Sequence, residues 1–224
     1  MHNVFVVLVL VLVLVLVACS TPQQKHDHAH HGAMPHRFEN ADLWAKTFDD
    51  PARDAWQEPD RVIASLALDS KMTVADVGAG TGYFTVRIAP LVAEVVATDV
   101  EADMVRYMQD RAKRERHGNI RTIVTPHDNP LLAAESFDRI LVVDVWHHLG
   151  DRRAYASKLA AALKPDGFVA VVDFKLDAKH GPPPKHRLAP EAVIADLEAG
   201  GLDASVALDL TEQYVIHARK QPRK

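Results

Sequence analysis

The chain contains one cysteine, Cys19, in 224 residues. An internal disulfide is therefore excluded, and the domain beyond Cys19 has no thiolate to serve as a nucleophile. Charge of one sign is not in excess either: 26 Lys and Arg stand against 30 Asp and Glu, a net charge of −4. Acids and bases are interspersed beyond residue 40, so there is no concentrated basic face of the sort that displaces counterions from nucleic acid. DNA and RNA are not expected partners. From residue 58 onward the chain has no repeat and no low-complexity segment. What is present, 48% hydrophobic and 25% charged residues, fits one globular domain with a sizeable core.

The one long apolar run is Val4 to Val17. A comfortable membrane span needs about 20 residues, so this run better suits the hydrophobic region of a signal peptide. The preceding "MHN" carries no Lys or Arg, unlike most such signals. Leu16, Val17, Ala18 and Cys19 resemble a bacterial lipoprotein lipobox, which implies cleavage before Cys19 and lipidation of its sulfur. The expectation is a signal peptide over 1–18 and a protein held to a membrane of the bacterial cell envelope through Cys19, facing the periplasm or the exterior. Residues 19–37 are short of apolar residues and carry His26, His28, His30, His31 and His36. Clustered neutral imidazoles can bind zinc, copper or nickel. A tether supplies neither fixed geometry nor outer-shell partners, so a solvated linker is the preferred reading and no firm metal site is assigned.

Beyond residue 58, short β-branched runs alternate with helical patterns, the signature of a parallel sheet covered by helices. Helices are predicted over 59–68, 82–92, 101–116, 151–165 and 190–200, the third ending at Gly118 and the fourth capped by Asp151 and stopped by Pro165. Strands are predicted over 71–77, 94–100, 119–125, 137–145 and 167–174. Two last strands, 203–210 and 212–219, are separated only by Thr211 and its neighbours, which permits nothing but an antiparallel hairpin. The fold class is α/β: a Rossmann-like, doubly wound, seven-stranded and mostly parallel sheet with an antiparallel terminal hairpin. Residues 38–70 form N-terminal cap helices and 71–220 the core. In the cap, Trp44 and Phe48 share a helix face.

The stretch "VADVGAGTGYFT" (74–85) carries three glycines spaced two apart. No Lys follows Gly82, so a nucleoside triphosphate loop is excluded. The dinucleotide fingerprint requires a third glycine at position 83, which is Tyr83. Asp76, just before the loop, would repel a pyrophosphate but suits a cofactor that carries an ammonium group beside a sulfonium. The loop therefore favours S-adenosyl-L-methionine.

Together with "ATDVEADMV", "SFDRILVVDVWHHL" and "LKPDGFVAVVDF", this loop resembles the ordered motifs of the class I S-adenosylmethionine-dependent methyltransferases, over residues 58–219. The set is most similar to the quinone- and small-molecule-methylating branch. The resemblance implies that Gly78, Gly80 and Gly82 let the backbone approach the methionine and ribose, that Asp76 orients the amino group, and that Asp99 accepts from the ribose hydroxyls. Val100 and Met104 would lie near the adenine. The acid often found in the loop after the third strand falls at Pro126, so Asp128 or His127 would substitute.

Asp144, Trp146, His147 and His148 fall just beyond the fourth strand, at the edge where open α/β sheets bind ligands. Asp144 joins the cofactor set. His147 or His148 is the candidate general base for a hydroxyl or acidic-carbon acceptor, with Trp146 as a pocket wall. The Pro-rich connection 173–190 is long enough for a lid, which makes His180, His186 and Arg187 candidate substrate contacts. The expected activity is methyl transfer to a small-molecule acceptor. The alternative is a non-catalytic lipoprotein that binds a nucleoside or a metal on the same fold.

Overall fold

The computed structural model describes residues 40–220. The expected signal segment 1–18, Cys19 and the histidines of the expected tether, His26, His28, His30, His31 and His36, lie outside the described residues. Three helices, α1 (Ala41–Phe48), α2 (Asp54–Gln57) and α3 (Pro59–Ser65), precede the first strand. The core then runs β1 (Thr73–Val77), α4 (Thr85–Ile88), β2 (Glu94–Asp99), α5 (Ala102–Arg114), β3 (Ile120–Val124) and β4 (Phe137–Val143). It continues through α6 (Arg152–Ala162), β5 (Leu163–Phe174), α7 (Pro190–Ala199), β6 (Leu202–Asp209) and β7 (Gln213–Lys220). The seven strands lie in the order β3-β2-β1-β4-β5-β7-β6, with β7 alone running against the rest. This is the expected mostly parallel sheet with a terminal hairpin, and Leu210 N–H donates to Gln213 O to close the hairpin turn.

Helices cover both faces, so the strands are apolar on both sides and read as continuous hydrophobic runs. Successive residues alternate between two cores. Ala75, Ile140, Val169 and Val171 pack with Tyr155, Leu159, Val193 and Leu197 of α6 and α7. Val74, Leu141, Phe168 and Ala170 pack with Val62 and Leu66 near α3 and Phe84 and Ile88 near α4. Each fully buried Leu, Ile or Phe contributes about 2 kcal/mol. Strand order reverses at β1, which pairs with β2 on one side and β4 on the other, and the carboxyl ends at such a switch point are where open α/β sheets bind ligands.

Several element boundaries differ from the sequence expectation, and three of the differences have a clear local cause. α6 ends at Ala162 rather than at Pro165, because Leu163 already pairs with Phe137 and a register shift before the Arg139–Phe168 pair accommodates Pro165 inside β5. α5 ends at Arg114, and Arg116 rather than Gly118 adopts the left-handed turn at φ 62°. His117 N–H then donates to Ala112 O and Arg116 N–H to Lys113 O, the pair of bonds that satisfies a helix's last carbonyls. The helix expected over 82–92 shrinks to α4 and a 3-10 turn at Ala89–Leu91, where Pro90 lacks the N–H needed to continue. No helix among the described residues is long and apolar enough to cross a membrane.

Candidate functional site

The glycine loop leaves β1 and folds over the end of β2. Gly78 and Ala79 N–H both donate to Thr98 O, at 2.8 and 2.9 Å. Gly78 has φ +71°, and a Cβ there would lie 2.3 Å from Val145 Cγ2, so both the turn and the close approach require glycine. Asp99, at the tip of β2, accepts from Gly80 N–H through Oδ2 at 2.8 Å and from Glu101 N–H through Oδ1 at 2.9 Å. A carboxylate offers about four lone-pair sites, so acceptor capacity for a vicinal diol remains. The Thr98 hydroxyl beside it is buried without a partner.

Asp76 is only 3% exposed inside β1. It accepts from Thr85 Oγ1 at 2.6 Å, a bond that links the strand to the first turn of α4. Burial pushes its carboxyl up to about 6; the Thr85 bond opposes this, the Asp99 charge adds to it and the Arg53 charge eases it.

The N-terminal helices clasp this loop. The Phe48 ring lies 3.6 Å from where a Gly80 Cβ would stand. Asp49 accepts from the Thr81 hydroxyl at 2.9 Å and from Arg111 at 2.8 Å. Asp54 accepts from the Tyr83 hydroxyl and from Arg87. The Arg53 guanidinium lies 4.1 Å from the Tyr83 ring centre. Tyr83, the residue that breaks the dinucleotide pattern, is thus the cap's docking post.

Arg53 also begins a closed ring of four side chains. It donates to Gln57 Oε1 at 2.8 and 3.0 Å, Gln57 Nε2 donates to Gln213 Oε1, and Gln213 Nε2 donates to Asp144 Oδ1 at 2.5 Å. Asp144 Oδ2 closes the ring on Arg53 Nη2 at 3.4 Å. Asp144 sits at φ 60°, a left-handed conformation that Asp tolerates better than most residues and that aims its side chain back under the cap. Burial raises its carboxyl to about 6, Arg53 opposes the shift, and Asp173 reinforces it.

His147 is buried, and its Nδ1 contacts both oxygens of the fully buried Asp173, at 2.9 and 3.1 Å. Burial disfavours the imidazolium, but the Asp173 hydrogen bond and the charges of Asp173 and Asp144 outweigh it and hold the imidazole above its ordinary value. The His148 ring lies 4.2 Å from that of His147.

Asp76, Gly78, Gly80, Gly82, Asp99, Asp144 and His147 thus meet at one end of the sheet. Other expected residues lie elsewhere or are otherwise engaged. Trp146 is 0% exposed and its Nε1 donates to Asp196, so the indole is core and walls no open pocket. The Arg187 guanidinium donates to the carbonyls of Leu176, Ala178, His180 and Pro182, and so ties the Pro-rich loop together instead of facing outward. His186 lies in a 3-10 turn of that loop, Pro184–His186. His180 stacks on Trp56 at 5.1 Å and contacts Glu212 at 3.0 Å. Val100 is 37% exposed, whereas Met104 is buried in the core. Pro126, His127 and Asp128 are exposed. The Asp128 carbonyl accepts from Lys158 Nζ, and the buried Tyr155 phenol, raised chiefly by burial, also feels the charges of Asp99 and Asp128. Among the described residues no cluster of three or more His, Cys, Asp or Glu could hold a metal.

Arg53, Gln57, Asp173 and Gln213 were not singled out in the sequence. A signal existed only for Asp173, an acid ending the apolar run "GFVAVVDF" as Asp99 ends "EVVATD".

The site residues fit a sulfonium nucleoside: a bare backbone cradle at Gly78, a diol acceptor at Asp99 and a buried acid at Asp76 suited to an ammonium. Residues 74–167 match a family described as a methyltransferase domain. An uncharacterised methyltransferase of Mycobacterium tuberculosis is 32% identical over 105 residues, 45% of this chain and 50% of that protein. A demethylmenaquinone methyltransferase of Tropheryma whipplei is 35% identical over 109 residues, 49% of this chain and 44% of that protein. The chain spans about half the length of the curated relatives it matches. A solved S-adenosylmethionine-dependent methyltransferase from Aquifex aeolicus superposes with a TM-score of 0.74 at 25% identity, over 79% of this chain and 96% of that one. Residues 74–167 therefore resemble a methyltransferase domain, and the described chain shares the fold of S-adenosylmethionine-dependent methyltransferases.

Proposed function

We propose that the protein transfers a methyl group from S-adenosylmethionine to a small-molecule acceptor. The observation that carries this reading is the Asp99 carboxylate bonded to Gly80 N–H, which joins the diol acceptor and the glycine cradle in one rigid unit. The bound cofactor supplies a methyl group already activated by its sulfonium, so the chain contributes orientation and exclusion of water. Asp99 holds the ribose through the lone pairs that Gly80 and Glu101 do not use. Asp76 faces the amino group, and the cap closes over the loop at Phe48. His147, with Nδ1 fixed by Asp173, presents Nε2 as the base for a hydroxyl or an acidic carbon. Likeness to a demethylmenaquinone methyltransferase supports an acceptor of the quinone kind.

Titration calorimetry of S-adenosylmethionine and S-adenosylhomocysteine into the purified protein tests the cofactor assignment. Micromolar binding is expected, and no binding by folded protein overturns it. The lipobox-like "LVAC" supports export and anchoring to a membrane of the bacterial envelope through Cys19. Cys19→Ser is expected to move the protein from the membrane fraction to the soluble one, and retention in the membrane fraction overturns the anchor.

A further inference from the structure

Resting on this cofactor reading, we propose that Arg53 is a resident counter-cation of the site, which the sulfonium of S-adenosylmethionine must displace or face, and which therefore sets how strongly the protein distinguishes the charged cofactor from its neutral-sulfur product.

The contacts of Arg53 are unequal. Its Nε and one Nη hold Gln57 Oε1 at 3.0 and 2.8 Å, and its other Nη holds Phe48 O at 2.9 Å. Those three bonds stay within the cap. The contact that crosses to the sheet, Nη2 to Asp144 Oδ2, is the longest at 3.4 Å and the easiest to exchange. The guanidinium is nonetheless enclosed, with its side chain 13% exposed and that of Asp144 22% exposed. Its field also reaches Asp76, on the neighbouring strand. One cation thus serves two carboxylates at the switch point, where the loop, Asp76 and Asp144 converge.

A second cation brought into this enclosure meets Arg53 with little screening between them. S-adenosylmethionine and S-adenosylhomocysteine differ by a single positive charge at sulfur, so their affinity ratio measures that encounter directly. A merely structural Arg53 holds the cap down equally for both nucleosides and leaves the ratio alone.

The test is calorimetric titration of both nucleosides into the full chain and into Arg53→Gln, Arg53→Lys and Asp144→Asn. Arg53→Gln is expected to raise the preference for the sulfonium form roughly tenfold, Arg53→Lys to keep the wild-type ratio, and Asp144→Asn to lower the preference. Should Arg53→Gln fail to fold, Arg53→Met, which keeps the aliphatic stem and removes the charge, carries the same test. Both nucleosides binding with the wild-type ratio when the Arg53 charge is removed overturns the role of Arg53, whatever Asp144→Asn does, and leaves the cofactor reading standing. Binding of neither nucleoside to the wild-type chain overturns the cofactor reading and this inference with it.

Discussion

Asp99 Oδ2 accepts from Gly80 N–H at 2.8 Å, so the acid at the tip of β2 pins the loop that leaves β1. Asp99→Ala removes this bond, the bond from Glu101 N–H and the acceptor for the ribose diol together. Hydrogen bonds to a charged group are worth about 1.5–3 kcal/mol each, so cofactor affinity should fall roughly 100-fold. Asp99→Asn should do little better, because its one carbonyl oxygen cannot serve two backbone donors while its amide faces one of them. Calorimetry on both variants decides the matter, and Asn binding like wild type would mean that only one oxygen is used.

Burial of the Asp76 carboxylate carries a cost in stability. An ordinary aspartate titrates at 3.8, and buried Asp76 at about 6. Between those values the folded state holds more proton than the unfolded one, so stability falls as pH rises through this window and stays reduced above it. Asp76→Asn keeps an acceptor for Thr85 and removes the buried charge, so it should stabilise the protein at pH 7 by on the order of 2 kcal/mol while weakening cofactor binding. Wild-type affinity should also drop as pH falls through about 6, with Asp76→Asn showing no such step. Denaturant midpoints and binding isotherms across pH read both effects.

The glycine loop was legible because its chemistry is local: spacing alone separates it from the two phosphate-binding patterns, and Asp76 lies inside the same dozen residues. The seven-strand order was legible for a related reason, since each strand is a short apolar run closed by a polar residue. The Arg53–Gln57–Gln213–Asp144 ring was hidden because its members come from the cap, the end of β4 and the start of β7, and only docking of the cap brings them together. Trp146 misled for the opposite reason: it lies just beyond the carboxyl end of β4, but the 3-10 turn Trp146–His148 places the indole in the core. The true end of α6 was invisible because long-range pairing of Leu163 with Phe137 wins over the local stop signal at Pro165.

The His147–Asp173 pair should leave its own mark on the pH dependence of stability. His147 keeps its proton to higher pH in the folded chain than an ordinary histidine at 6.5. Its stabilisation is therefore fully present below the ordinary value and lost as pH rises through the raised one. Asp173→Asn should lower the His147 titration point, followed by imidazole NMR, and destabilise the fold by about 3 kcal/mol because the buried imidazole loses its counter-charge. A His147 that titrates identically in both proteins would remove Asp173 from the positioning role.

Gly78 packs so close to Val145, just beyond β4, that a Cβ would not fit, and the two contributions to the cost of placing one there can be separated. Gly78→Ala places a Cβ 2.3 Å from Val145 Cγ2 and also forces φ +71° on an L-residue. Strain at a left-handed position costs about 1–2 kcal/mol and overpacking a further 1–3 kcal/mol, so a total of about 3 kcal/mol is expected. Val145→Ala in the same chain deletes the clashing methyl but leaves the dihedral unchanged. The double variant should therefore recover the packing part alone, giving a coupling of about 1–2 kcal/mol in a double-mutant cycle measured by denaturant unfolding. Full recovery would mean that the loop relaxes its φ freely, and a loop that soft could not serve as a preformed cradle; no recovery would mean that backbone geometry alone reserves this position for glycine.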